Sequence, residues 1–448
     1  MKNRTVDLTR GSILRAMLVF AIPLFISNLF QQLYNTADTM IVGNVLGDQS
    51  LAAIGSTSAV FELIIGFANG VGSGFGIVAA CFWGSGDRQK LKRTVAASLL
   101  LSLGLSAILM LLSSLALRPL LVLLKTPADI LDEAYGYISI ICMAVAITML
   151  YNLGAALLRA IGDSVTPLVI LLIASVLNIA LDFLFMTRFS MGIAGAAVAT
   201  VIAQGVCCIF CLIFILRKVP ALVPSRKDFV FEPSLYQELL GQGFSMGFML
   251  SIVSMGTVVL QGAINLLGTS VIAAHTTARK LFNLLSMPTS TISAAVATFT
   301  SQNKGANQYR RIRQGMFQAN LITIAYSLAV TVLIVFAAPA LVGLMSGSSD
   351  QFLLDTGSLY LYINVPFFIP LGILLNLRSG LQGMGRKIVP LFSSIIELLG
   401  KLLFALLLIP MVGYLGVCFC EPFVWSCMAL QLWFAFYRTD EIMAAKWA

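Results

Sequence analysis

Charge is what this sequence has least of. Asp, Glu, Lys and Arg make up only 10% of its 448 residues, against 59% hydrophobic residues and a mean hydropathy of +0.95. A soluble domain carries roughly a quarter charged residues, so lipid must be this chain's main solvent. Histidine is nearly missing, with one in the whole chain. No HExxH or GxSxG is present either, which removes the usual zinc-hydrolase and serine-nucleophile signatures and argues against an enzyme. A cleavable signal peptide is also lacking. The first apolar stretch is too long for one, and no small-residue cleavage site follows it.

Long apolar runs are abundant. Twelve stretches are long enough to cross a bilayer, which takes about 20 helical residues. They cover approximately 13–43, 51–82, 94–117, 130–158, 165–187, 191–216, 237–267, 270–301, 314–345, 352–377, 388–410 and 412–437. Pro23 and Pro288 fall inside spans, where each removes a backbone donor and permits a kink. All eight cysteines lie in or at the ends of spans. Cys208-x-x-Cys211 has redox-motif spacing, but within a lipid-buried helix it reads as small apolar filler.

The net charge of +9 is a matter of topology. The N-terminus (Lys2, Arg4, Arg10, Arg15), alternate loops (Arg88 to Arg93, Arg159, Arg217 to Lys227, Lys304 to Arg313, Arg378 to Lys387) and the tail (Arg438, Lys446) hold 22 of the 28 basic residues. The opposite loops hold Arg118, Lys125 and Arg188, and three more lie within spans. The positive-inside rule then places both termini in the cytoplasm of a multi-pass inner-membrane protein. No nucleic-acid footprint is implied. Asn3-Arg4-Thr5 matches a glycosylation pattern on the cytoplasmic side, where it has no meaning.

The two halves resemble each other. At an offset of 221, Asn44-Val45-Leu46-Gly47 meets Asn265-Leu266-Leu267-Gly268, and Gly84 meets Gly305. The offset becomes 223 for Gly162 with Gly385 and Pro167 with Pro390. It returns to 221 for Gly192 and Gly195 with Gly413 and Gly416. Six spans per unit is an even number, so the repeat is parallel. The expected architecture is an all-α membrane protein of two six-helix bundles. Residues 1–216 form an N-terminal lobe, 217–236 a cytoplasmic linker and 237–448 a C-terminal lobe. Such lobes suit alternating access. The run Gly66, Gly70, Gly72, Gly74, Gly76 in the second span reads as close helix packing rather than a phosphate loop.

Ionisable groups within spans are expensive and therefore functional candidates. They are Asp38, Glu62, Asp182, Glu397, Glu421, His275, Arg279, Lys280 and Lys401. Asp38 and Asp182 reach similar depth toward the outer ends of spans one and five. Asn178 shares a helix face with Asp182, and Thr200 in span six lies at a comparable level. Two carboxylates, an amide oxygen and a hydroxyl are the donors a hard cation such as Na⁺ takes. Alternatively, burial and repulsion make one aspartate carry a proton. In both cases a cationic substrate competes for the same negative charge. The bland alternative is that both aspartates snorkel at the lipid–water boundary. Glu397 and Lys401, four apart, read as a structural ion pair. His275 reads as a hydrogen-bonded interface residue. Arg279 and Lys280 require an acidic group or carbonyl from a neighbouring helix. Glu62 and Glu421 have no evident partner.

Several motifs together resemble the multidrug and toxic compound extrusion (MATE) family, over about Arg10 to Arg438. They are IPLFISNLFQQLYNTADTMIVG, LGDQSLAAIG, GSGD with a following basic cluster, LLRAIGDSVTP, and LNIALDFLF with GIAGAAVAT. The resemblance is to the prokaryotic branch with an N-lobe cation site. It implies an exporter of cationic or amphiphilic organic compounds driven by inward Na⁺ or H⁺. It assigns Asp38, Asn178, Asp182 and Thr200 to the coupling cation, and Asn152 with Asp38 and Asp182 to substrate. It makes Pro23 a hinge. No cofactor is implied beyond the coupling ion. The partners implied are small organic cations and membrane lipid, and a monomer suffices. The seventh span, GFSMGFMLSIVSMGTVVLQGAINLLG, lacks the acidic residue that other branches carry there. Coupling is therefore expected to rest on the N-lobe. A lipid-linked oligosaccharide flippase of the same superfamily is the alternative. Its anionic cargo would call on Arg279, Lys280 and Lys401.

Overall fold

The structure, a computed structural model, describes residues 5–124 and 126–445. Lys2, Arg4, Lys125 and Lys446, four of the basic residues used for orientation, lie outside that set, as does Asn3. Among the described residues there is no strand. The chain runs through α1 Ile13–Leu46, α2 Asp48–Ser85 and α3 Arg88–Leu123, then α4, made of Leu131–Met143 and Val145–Ala160 bent by 49°. It continues through α5 Val165–Arg188, α6 Ile193–Lys218, α7 Pro233–Asn265, α8 Thr269–Gly305, α9 Tyr309–Ser346, α10 Gln351–Gly383, α11 Ile388–Val412 and α12 Tyr414–Tyr437. Ten of these are long and apolar enough to cross a membrane by themselves, and the bent α4 makes an eleventh. Helix α8, with 37 residues, has ample length, but His275, Arg279, Lys280 and its many Ser and Thr residues lower its apolar content.

Polarity runs inside out relative to a water-soluble bundle. Phe336 and Leu344 are 83% exposed, whereas Asn178, Thr323 and Ser393 are fully buried. Lipid solvates the first kind of side chain and offers the second no hydrogen bond, so polar groups collect between helices.

The repeat is visible in the backbone. Gly192 (φ 60°, ψ −151°) and Gly413 (φ 62°, ψ −137°) open α6 and α12 in the same conformation, one that a side chain strains. Helices α5 and α11 each contain one π-helical stretch toward the C-terminal end, Leu184–Arg188 and Phe404–Leu408. Single π turns are uncommon, so finding them at matching places is strong support for a duplicated unit.

Packing divides the chain into two compact units. The first comprises Ile22–Ser251 with the described residues up to Asp7, and the second Leu8–Ala21 with Ile252 onward. The division thus falls inside α1 and α7 rather than at 217–236. The segment after α6 belongs to the first unit because it is ordered there. Leu222 is buried, and Asp228 accepts from the Ser225 backbone and hydroxyl, both at 2.7 Å. Those hydrogen bonds, with Lys92 and Arg93 nearby, hold the Asp228 carboxyl below its usual range. Pro23 stands two residues past the crossing in α1, and its own carbonyl accepts from Ser27 Oγ at 2.9 Å.

Within the first unit the glycines of α2 allow backbone contact. A Cβ on Gly74 would meet the Gln242 carbonyl oxygen at 2.7 Å, and one on Gly76 would meet Ala156 Cβ at 2.8 Å. Gly66 faces open space. Gly76→Val should therefore destabilise the protein by about 1–3 kcal/mol through overpacking. Gly66→Ala should leave it unchanged or slightly stabler. Thermal unfolding of the two variants in detergent checks the contrast, which equal effects would contradict.

Candidate functional site

The described part of the first unit brings four helices to one polar cluster. Helix α5 supplies Asn178 and Asp182, which are fully buried, and α6 supplies Thr200, 9% exposed. In the amide orientation that satisfies both its ends, Asn178 donates to Asp182 Oδ2 at 3.0 Å. Its oxygen accepts from the Thr200 backbone N–H at 3.2 Å. Helix α1 supplies Asp38, whose carboxyl is within hydrogen-bonding reach of Asp182. The four residues singled out from the sequence therefore meet. Asn178 differs in role from the expected oxygen ligand, because its nitrogen faces the carboxylate and its oxygen is engaged elsewhere. It orients Asp182.

Two tyrosines complete the cluster. Tyr34, one turn before Asp38, lies close to Thr200 and to both aspartates. Tyr137 of α4, 8% exposed, stands near Asp38, Tyr34 and Asp182. The i, i+4 spacing of Tyr34 and Asp38 was available in the sequence. Tyr137 had no such signal, since nothing local ties α4 to α1.

The chemistry follows from what is left over. Oδ1 of Asp38 and Oδ1 of Asp182 are both buried without a hydrogen-bond partner among the described residues. Two facing carboxylates in a low-dielectric interior repel strongly and leave desolvated lone pairs. A proton shared between them or a small cation held by their oxygens relieves both costs. Among the described residues no group of three or more His, Cys, Asp or Glu is placed to hold a metal ion. The donors are all oxygen, which suits an alkali cation or a proton rather than a transition metal.

Asn152 belongs to a different layer. Its amide nitrogen is occupied by Asn69 Oδ1 at 2.6 Å and by the Thr148 carbonyl at 2.8 Å, and Thr148 in turn donates to Gln204 at 2.5 Å. Among the described residues no hydrogen bond joins it to the aspartates. All eight cysteines are free. Cys211 packs against Gly154, as a space-filling residue does.

The second unit holds the remaining charges. Glu397 accepts from Lys401 at 2.9 Å, as their spacing suggested. Arg279 finds its acid in Glu421. His275 Nδ1 lies 3.2 Å from the Tyr414 hydroxyl. Lys280 and Glu62 are exposed. Arg378 corrects the sequence reading, which counted it in a cytoplasmic loop. Helix α10 continues to Gly383, so Arg378 is buried, with Nη2 3.7 Å from Glu397 and Nε donating to Ser393 at 3.1 Å. The inward-side count falls to 21, still against three.

A duplicated set of long lipid-facing helices, with an acidic cluster buried in one half, defines a polytopic membrane transporter. The chain belongs to the MATE family: the MatE family matches residues 23–184 and 245–407, once in each half. A probable multidrug resistance protein of Bacillus subtilis, YpnP, is 28% identical over 315 residues, 69% of each chain. An FAD transporter of Shewanella oneidensis is 26% identical over 421 residues, 93% of this chain and 91% of that one. An outward-facing multidrug resistance MATE transporter of the MOP superfamily superposes with a TM-score of 0.90 at 25% identity, covering 99% of this chain and 98% of the other. The fold is accordingly that of twelve helices in two bundles.

Proposed function

We propose that the chain is a secondary antiporter of the cytoplasmic membrane. It exports cationic or amphiphilic organic compounds in exchange for Na⁺ or H⁺ by alternating access of its two six-helix lobes. The observation that carries this reading is the Asp38–Asp182 pair, whose two buried oxygens lack partners. A site of that kind binds a cation or a proton, and a positively charged cargo competes for it. Binding that differs between two conformations is what couples one flux to another. Asp38, Asp182 and Thr200 hold the coupling ion, with Asn178 orienting Asp182. Asn152 and its partner Asn69 offer amide groups to cargo, and Pro23 serves as the hinge in α1. Basic residues in alternate loops support cytoplasmic termini. Nothing in the mechanism calls for a second subunit or a cofactor.

An oligosaccharide flippase would use basic side chains to meet anionic cargo. Two of the three candidates, Arg279 and Lys401, are held by Glu421 and Glu397. That favours the cation exporter. Reconstituted vesicles loaded with a fluorescent organic cation, given an imposed Na⁺ or pH gradient separately, test the proposal. One of the two gradients should accelerate export several-fold. Export indifferent to both would reject ion coupling.

A further inference from the structure

Five charged side chains of the second unit stand in a row that the coupling site does not use. Glu421 Oε2 accepts from Arg279 Nη1, and from the Tyr360 hydroxyl at 2.9 Å. Its Oε1 faces Lys401 Nζ at 3.9 Å. Lys401 Nζ donates to Glu397 Oε1 at 2.9 Å, and Glu397 Oε2 lies 3.7 Å from Arg378. Positive and negative charges alternate, and the ammonium at the centre, 2% exposed, sits between two carboxylates.

The repeat gives this arrangement a meaning. The offset of 221 that carries Gly192 to Gly413 also carries Thr200 to Glu421. The π-helical stretches, Leu184–Arg188 and Phe404–Leu408, match at 220, and in that register the mate of Asp182 is the residue next to Lys401. Near the level that corresponds to Asp182, then, the second unit has a pair of carboxylates on α11 and α12, the counterparts of α5 and α6, whereas the pair of the first unit stands on α1 and α5. In the first unit one oxygen of each carboxylate is unpartnered; in the second, neither Glu397 nor Glu421 has a buried unpartnered oxygen among the described residues. What differs is the cations, Arg279 and Arg378 at the ends of the row and Lys401 between the two glutamates.

We propose that Lys401 is a tethered cation. Its ammonium does, between Glu397 and Glu421, what an exchangeable cation does between the carboxylates of the first unit. The second unit therefore contains a cation site for a small monovalent ion or a primary ammonium, closed by the chain's own side chain. A lysine on a helix cannot leave, so this site contributes fixed charge balance and no ion flux. That last consequence rests on the coupling role given to Asp38 and Asp182. The existence of the closed site does not.

The test silences the first unit. In an Asp38→Asn, Asp182→Asn background, Lys401→Ala should lower the melting temperature in choline chloride. Replacing choline with ethylammonium or Na⁺ at equal ionic strength should restore at least half of the loss. The same background with Lys401 intact should not respond to the exchange, and adding Glu421→Gln to the alanine variant should abolish the restoration. Should the alanine variant not be recoverable, Lys401→Gln fills the space with a neutral amide, and its melting temperature should rise in Na⁺ relative to choline. Absence of any response to ethylammonium or Na⁺ in the recovered variant overturns the proposal. So does an equal response with Lys401 in place.

Discussion

Asp182→Asn is expected to abolish ion-coupled efflux while leaving the protein inserted and folded, and Asp38→Asn to do the same. The substitution keeps the shape and the hydrogen-bonding oxygen but removes the charge. Asn178 can still bridge to position 182, so the helix contact between α5 and α6 survives. What is lost is the charge-assisted interaction with the bound cation or proton. Such an interaction contributes about 1.5–3 kcal/mol, or roughly 10- to 150-fold in binding. Without a difference in ion affinity between conformations there is nothing to drive export. Dye efflux from loaded vesicles should fall to the level of protein-free vesicles under the gradient that drives the wild type. Helical content by circular dichroism should not change. Wild-type efflux by both variants would remove the coupling role of the pair.

The second large effect concerns stability. Arg279→Leu leaves Glu421 buried, 3% exposed, with the Tyr360 hydroxyl and a lysine 3.9 Å away as its remaining partners. Removing one partner of a buried ion pair costs about 3–5 kcal/mol, because the other charge stays desolvated. A marked drop in melting temperature is expected. The double variant Arg279→Leu, Glu421→Gln should recover most of it, since the stranded charge is then gone. Non-additivity is the diagnostic: independent effects would sum, coupled ones would not. A double variant that recovers nothing would contradict the stranded charge and leave the packing of Arg279 over the Phe282 ring, whose centroid is 5.0 Å from its guanidinium carbon, as the source of the loss.

Two details show how far one-dimensional information reached. Glu397 and Lys401 were readable as a pair because four residues on a helix bring side chains together wherever the helix lies. Glu421 was not assigned a partner, although the repeat register paired it with Thr200. Its contacts come from Arg279, Tyr360 and Lys401, which stand 142, 61 and 20 residues away. No local rule joins them. Arg378 was misplaced for a related reason: a soft helix end in the sequence put a buried residue into a loop.

By itself the sequence determined the solvent, the span count, the orientation bias and the duplication. Each of these follows from length and composition along the chain: a bilayer demands apolar runs of a set length, and basic residues resist crossing it. Only the tertiary structure decided which way Asn178 turns its amide and that Tyr34 and Tyr137 join the aspartates. It alone set a lysine between the two glutamates of the second unit. Those outcomes depend on how each helix rotates about its axis and how close its neighbours come, and that is fixed by packing among residues far apart in the chain.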